Sequence, residues 1–350
     1  MPRKLKDAVV VITGASSGIG RATAHAFAQK GASVVVAARR EEPLRDLVAE
    51  CEQLGARALA VPTDVRDQAA VQALARRAVE TLGRIDVWVN NAAVTLFAKF
   101  EDSPPDVFRE VIETNLFGYV HGARAVMPVF REQGSGVLIN NASMMARVAE
   151  PYLSAYVASK MAIRGLGTSL RQELFLDKAK GIHVSTVMPA AIDTPFFLHA
   201  ANYTGRAAKA MPPVYPAKSV ADTIVRMAER PRREVFVGNA GRMLQLQHYL
   251  APGMAEKQSA KMVDKLHLYQ DKPAEPTPGN VFQPMPEGTS VTGGWKADGA
   301  GRLRQLATVG LAAGVPAAVL WRRAQNGQKR DGKHPARTGL LAAAASVARR

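Results

Sequence analysis

From Val9 to Gly20 an unbroken apolar run passes through Thr13-Gly14-Ala15-Ser16-Ser17-Gly18-Ile19-Gly20 into a helix-like segment. Strand, glycine turn and helix in that order constrain the fold more than any other feature of the chain. They gather backbone N–H groups at a helix start, where a pyrophosphate can rest. The alternation then continues. Short apolar runs at Val9–Ile12, Ser33–Ala37, Ala56–Val61, Asp86–Asn90, Gly136–Asn140, His183–Met188 and Glu234–Val237 are separated by helical stretches such as Gly18–Lys30, Glu41–Leu54, Asp67–Leu82 and Ser154–Asp177. Strands apolar at nearly every position belong in a parallel sheet covered on both faces. The pattern predicts an α/β fold: a Rossmann-like, doubly wound parallel sheet over residues 1–250, followed by a C-terminal extension.

The glycine spacing is Gly-x-x-x-Gly-x-Gly. Gly14 allows the tight turn, Gly18 lets backbone approach phosphate, and Gly20 allows close packing of helix on strand. After the second strand, Ala38 stands where a reader of an unmodified ribose places Asp or Glu, and Arg39 and Arg40 follow. A guanidinium there suits a 2′-phosphate, so NADP(H) is expected in preference to NAD(H). Gly14 to Gly18 also fits Gly-x-Ser-x-Gly, the nucleophile elbow of hydrolases, but no downstream histidine stands out as its partner. No His-Glu-x-x-His or cysteine pair occurs, and no metal site is expected.

Tyr156 and Lys160, four residues apart, project from one helix face. A cation held beside a phenol favours tyrosinate and brings proton exchange closer to neutrality. With the dinucleotide cradle, this pair points to hydride transfer to or from a carbonyl or alcohol.

Together these marks resemble the short-chain dehydrogenase/reductase family over about residues 6 to 240. They are the glycine run, Asp64-Val65, Asn90-Asn91-Ala92-Ala93, Thr114-Asn115, Ser143, Tyr156 with Lys160, and Pro189 to Thr194. The resemblance implies a catalytic group of Asn115, Ser143, Tyr156 and Lys160. Tyr156 would be the acid in reduction and the base in oxidation. Ser143 would hydrogen-bond the substrate oxygen, and Asn115 would hold a water behind Lys160. Implied cofactor contacts are Gly14, Ser16, Ser17, Gly18, Ile19, Gly20, Arg39, Arg40, Asp64, Val65, Asn91, Ala92, Tyr156, Lys160, Pro189, Ile192 and Thr194. Asp64 and Val65 would meet the adenine, and Thr194 the nicotinamide amide. The family resemblance also implies a homo-oligomer. Ala93 and Ala190 stand where the family usually has glycine.

Met144, Met145, Val148, Tyr152, Ile192, Phe196, Phe197 and Leu198 surround these marks in the sequence, which suggests a lipophilic carbonyl or secondary alcohol as substrate. The alternative is a non-catalytic dinucleotide-binding scaffold. Residues 251–301, rich in Pro and Gly from Lys272 on, read as a linker or extended arm. Residues 302–350 form a basic tail with ten Lys/Arg against one acid, Asp331, within a chain of net charge +16. The tail includes an apolar stretch from Leu306 to Trp321, too short for the roughly 20 residues of a membrane span. It suggests contact with an anionic membrane surface; nucleic acid is not expected as a partner. The first apolar run leads straight into the glycine turn, leaving no room for a signal peptide. Cys51 is the single cysteine. A cytoplasmic location, peripheral on a membrane through the tail, is therefore expected.

Overall fold

The apolar runs assemble as strands β1 (Val9–Thr13), β2 (Ser33–Ala38), β3 (Ala58–Pro62), β4 (Val87–Asn90), β5 (Gly136–Asn141), β6 (Ile182–Pro189) and β7 (Glu234–Val237). They form one sheet in the order β7-β6-β5-β4-β1-β2-β3, with every pairing parallel. The computed structural model describes residues 3–295, without the side chains of 239–243. All positions of β1 and β2 are buried, as their unbroken apolar sequences require.

Helices α1 (Gly18–Ala28), α2 (Glu42–Gln53) and α7 (Ala217–Glu229) cover one face, packing Phe27, Leu44, Leu47, Val220 and Ile224 onto it. Helices α3 (Gln68–Leu82), α5 (Gly118–Gln133) and α6 (Ser154–Leu176) cover the other through Val71, Leu74, Val126, Phe130 and Leu174. Helix α4 (Pro105–Ile112) runs into α5 through one wide π turn, Glu113–Phe117, which carries Asn115. Strand order reverses between β1 and β4. In sheets of this kind a crevice opens there, beyond the carboxyl ends of the strands.

After β7 come α8 (Asn239–Leu250), α9 (Pro252–Leu266) and β8 (Leu268–Pro273), the last antiparallel to Arg206–Ala208. The chain then turns back over the carboxyl ends of the central strands. Of the two readings of the Pro/Gly-rich segment, its described part is the arm rather than the linker. Gly279, Gly288 and Gly293 in it serve close approach. A Cβ on Gly279 would lie 2.3 Å from the His199 carbonyl oxygen, and one on Gly293 2.2 Å from that of Thr194. Residues 302–350, with the apolar stretch and the expected membrane contact, lie outside the described residues. No helix among the described residues is long and apolar enough to cross a membrane.

Candidate active site

A cavity of about 240 Å³ follows the carboxyl ends of the strands. In sheet order its lining runs from Asp64 and Val65 after β3, to Arg39 and Arg40 after β2, to Gly14, Ser16, Ser17, Gly18 and Ile19 after β1. It continues through Asn91 and Ala92 after β4 and Ser143 after β5, to Pro189, Ile192 and Thr194 around the end of β6. Tyr156 and Lys160 reach it from α6. Of the residues named from the sequence, Gly20 and Asn115 are not part of the lining, nor are Val148, Tyr152 and Leu198 of the expected apolar wall.

The cradle has the shape a pyrophosphate needs. Gly14 and Gly18 sit at φ of +66° and +55°, in the left-handed region that glycine enters without strain. A Cβ on Gly20 would lie 2.2 Å from the Gly14 carbonyl oxygen, so only glycine lets α1 start this close to β1. Asn91 fixes the turn, donating from Nδ2 to the carbonyls of Thr13 (3.0 Å) and Gly14 (3.1 Å). Ser17 begins α1 without a side-chain cap, which leaves its hydroxyl for a ligand at the helix start. These residues fit a dinucleotide. Ser16 Oγ accepts from Arg40 at 3.4 Å, so its described partner is a cation rather than the histidine a hydrolase elbow requires.

At the catalytic end, Ser143 follows β5, and its hydroxyl accepts from the Met145 amide at 3.2 Å. Burial pushes the Tyr156 phenol well above its usual range; the neighbouring Ser143 hydroxyl opposes this, and the Glu150 carboxylate adds to it. Lys160 is buried behind the phenol, with Nζ 5.3 Å from the Tyr156 ring centre and 5.0 Å from that of Tyr119. It donates to the Asn141 carbonyl at 3.3 Å, an acceptor shared with Tyr119 Oη at 2.7 Å. Desolvation lowers the Lys160 pKa to about 7. The expected lowering of the phenol by Lys160 is therefore absent from the polypeptide alone. Both groups are stripped of water, and the charged form of each is disfavoured.

This burial has a stability consequence. Below pH 7 the folded and unfolded chains both hold the Lys160 proton, and the folded state carries the full cost of burying it. Between pH 7 and 10.5, the ordinary lysine value, only the unfolded chain holds that proton, so the folded state gains as pH rises. Without cofactor, Lys160→Met is expected to raise the Tm relative to wild type more at pH 6 than at pH 9. Thermal melts at the two pH values check this.

Asn115 is fully buried, and its side chain is taken. Oδ1 accepts from Val94 N at 2.9 Å, while Nδ2 donates to Val94 O at 2.9 Å and to Ser159 Oγ at 3.2 Å. The amide clamps the segment after β4 to α6. Asp64 is likewise held, in a pair with Arg66 at 2.5 Å.

The arm from Asn280 to Trp295 crosses the whole cradle. Arg39 donates to the carbonyls of Asn280, Val281 and Phe282, and Arg40 to those of Met285, Pro286 and Glu287. The Gly18 amide donates to Ser290 O at 3.0 Å. Beyond it, Asp193 Oδ1 accepts from the amides of Gly293 and Trp295, and the Trp295 indole donates to Thr194 O. The arm thus touches residues assigned to both ends of the dinucleotide.

The family model of the short chain dehydrogenases matches residues 8–202, spanning this cradle together with Ser143, Tyr156 and Lys160. The chain belongs to the short-chain dehydrogenase/reductase family. It is 37% identical over 263 residues to the uncharacterized oxidoreductase YxnA of Bacillus subtilis, covering 75% of this chain and 74% of that one. It is 41% identical over 189 residues to the probable oxidoreductase EphD of Mycobacterium tuberculosis, covering 54% of this chain and 31% of that one. Among solved structures it resembles a short-chain dehydrogenase/reductase from Burkholderia phymatum in complex with NAD, with TM-score 0.64 and 26% identity over 71% of this chain and 96% of that one. It also resembles an alcohol dehydrogenase from Thermococcus sibiricus complexed with 5-hydroxy-NADP, with TM-score 0.57 and 26% identity over 65% and 95% of the two chains. This member of the family is an oxidoreductase. Neither Ala93 nor Ala190, its departures from the usual glycines, adopts a positive φ.

Several site residues escaped the sequence reading. Tyr119 and Asn141 hold Lys160, yet neither belongs to a motif quoted from the sequence. Glu150 and His267 line the cavity from a loop and from the end of α9. Nothing local marks either one, because the fold alone joins positions this far apart in sequence.

Proposed function

We propose that this oxidoreductase transfers a hydride between NADP(H) and a carbonyl or secondary alcohol. The observation that carries the reading is the meeting of Ser143, Tyr156 and Lys160 with the dinucleotide cradle in one cavity. Bound nicotinamide supplies the hydride in reduction and accepts it in oxidation. In reduction, Ser143 Oγ hydrogen-bonds the carbonyl oxygen while Tyr156 Oη delivers the proton to it. A phenol held firmly protonated by burial suits that donor role. Lys160, with Nζ 5.3 Å from the ring centre, lowers the cost of the tyrosinate left after transfer only in its protonated form, which burial disfavours. In oxidation the same proton returns from the alcohol to Tyr156. The residues from 1 to 250 act as the catalytic domain, and the arm forms its roof.

Selection of NADP rests on Arg39 and Arg40 beside the ribose position and on the absence of an acid there. Arg39 and Arg40 both line the cavity, and both also donate to carbonyls of the arm. Arg39→Ala is expected to weaken NADPH binding by roughly tenfold or more and to leave NADH binding nearly unchanged, since a charge-assisted hydrogen bond contributes about 1.5–3 kcal/mol. Titrations followed by nicotinamide fluorescence measure both. A parallel fall for the two cofactors would assign Arg39 to the arm alone and remove the case for NADP.

The wall of the catalytic end supports a lipophilic substrate. Phe97, Met144, Met145, Leu153, Phe196, Phe197 and Met211 line it.

A further inference from the structure

The apolar wall is interrupted at one place. Glu150, on the loop between the Ser143 turn and α6, faces His267 at the end of α9, and the side chains of both are 3% exposed. Both line the same cavity as Tyr156. Around them the surface is aromatic: the His267 ring lies 5.5 Å from Phe97 and 5.6 Å from Phe197, and Phe196 lies 5.6 Å from Tyr156.

Glu150 Oε2 is buried and has no hydrogen-bond partner among the described residues. Such an atom is costly to bury and uncommon in native interiors. His267 Nε2 lies 3.5 Å from it without forming a hydrogen bond. The imidazole is already oriented. Its Nδ1 lies 2.8 Å from the Lys209 carbonyl, which can only accept, so Nδ1 carries a proton and Nε2 is turned toward Glu150.

The pair sits on a rigid support. Tyr152, two residues after Glu150, adopts φ of +65°, a strained conformation for an aromatic residue. Its hydroxyl donates to Asp264 Oδ1 at 2.7 Å, tying the Glu150 loop to α9 three residues before His267. Arg206 donates to the same oxygen at 2.6 Å. The loop that follows the catalytic serine is thus locked against the extension with an acid and an imidazole facing the cavity.

We propose that Glu150 and His267 form a polar subsite for a hydroxyl group carried by an otherwise apolar substrate. A hydroxyl donates its single proton to the carboxylate oxygen, which an imidazole with its proton on Nδ1 cannot do. An apolar ketone without it leaves a buried carboxylate oxygen unpartnered. Sites built around such a group discriminate strongly against analogues that lack it. The subsite defines the substrate class as a hydroxylated lipophilic carbonyl, or the corresponding diol in oxidation, and it rests on the carbonyl-reductase reading above.

The test uses octan-2-one and its 4-hydroxy, 6-hydroxy and 8-hydroxy derivatives as matched probes. Calorimetric binding to full-length Tyr156→Phe protein, with and without NADPH, requires no turnover. One hydroxylated ketone is expected to bind roughly tenfold or more tightly than octan-2-one. In the Tyr156→Phe/Glu150→Leu double variant that advantage disappears while octan-2-one binding holds; Glu150→Gln in the same background, which keeps an acceptor, retains part of it. Parity of the four ketones with Glu150 present, or an equal loss for all of them in the leucine variant, overturns the subsite. The second result would make the pair a structural fastener of α9. Turnover of the same ketones by wild-type protein separates the two readings. A binding preference without any hydride transfer would refute the oxidoreductase chemistry proposed here and leave the hydroxyl subsite standing.

Discussion

Tyr156→Phe will lower kcat by roughly a hundredfold to ten-thousandfold, the usual contribution of a positioned acid or base. NADPH affinity will change little, because the substitution removes one oxygen at the substrate end and leaves the cradle intact. The ring itself stays packed: it lies 5.6 Å from Phe196 and under the Lys160 ammonium, contacts that phenylalanine retains. Stability is expected to hold or rise slightly, since a buried hydroxyl with few partners is lost. Steady-state kinetics, a cofactor titration and a thermal melt test the three statements separately. If kcat survived within a few fold, another group would have to supply the proton. The scaffold reading requires instead that wild-type protein bind NADPH and turn over no carbonyl.

Gly20→Ala will damage cofactor binding without touching the cofactor. The added Cβ meets the Gly14 carbonyl oxygen at 2.2 Å, Asn91 Nδ2 at 2.7 Å and Ala15 Cα at 2.8 Å. Two of these three atoms are backbone, so relief requires the start of α1 to move away from β1. Overpacking of this kind costs about 1–3 kcal/mol. The cradle depends on that same approach, so the Kd for NADPH is expected to rise by roughly tenfold to a hundredfold. Gly165→Ala on α6 is the control. It is exposed, at helical φ, with nothing within 4 Å of its Cβ position, and should stabilise by about 0.4–1 kcal/mol. If Gly20→Ala bound NADPH as wild type does, close packing at this glycine would not set the geometry of the cradle.

The sequence alone determined the parallel sheet, the place of the dinucleotide cradle and the family. The physical reason is that each is local. Val9 to Thr13 can bury both faces only inside a covered sheet, and Gly14, Gly18 and Gly20 sit where a turn and a close approach demand them. Tyr156 and Lys160 share a helix face by spacing. Tertiary structure decided what long-range contact decides. It placed the Asn115 amide against Val94 and Ser159, and it buried Lys160 so deeply that its own proton is loosened before it can help Tyr156. It also turned the Pro/Gly-rich segment, whose composition fits a linker equally well, into an arm whose carbonyls hold Arg39 and Arg40 more than 240 residues upstream. Glu150 and His267 meet for the same reason: their pairing depends on α9 packing beside the loop that follows Ser143, and no spacing in the chain encodes that contact.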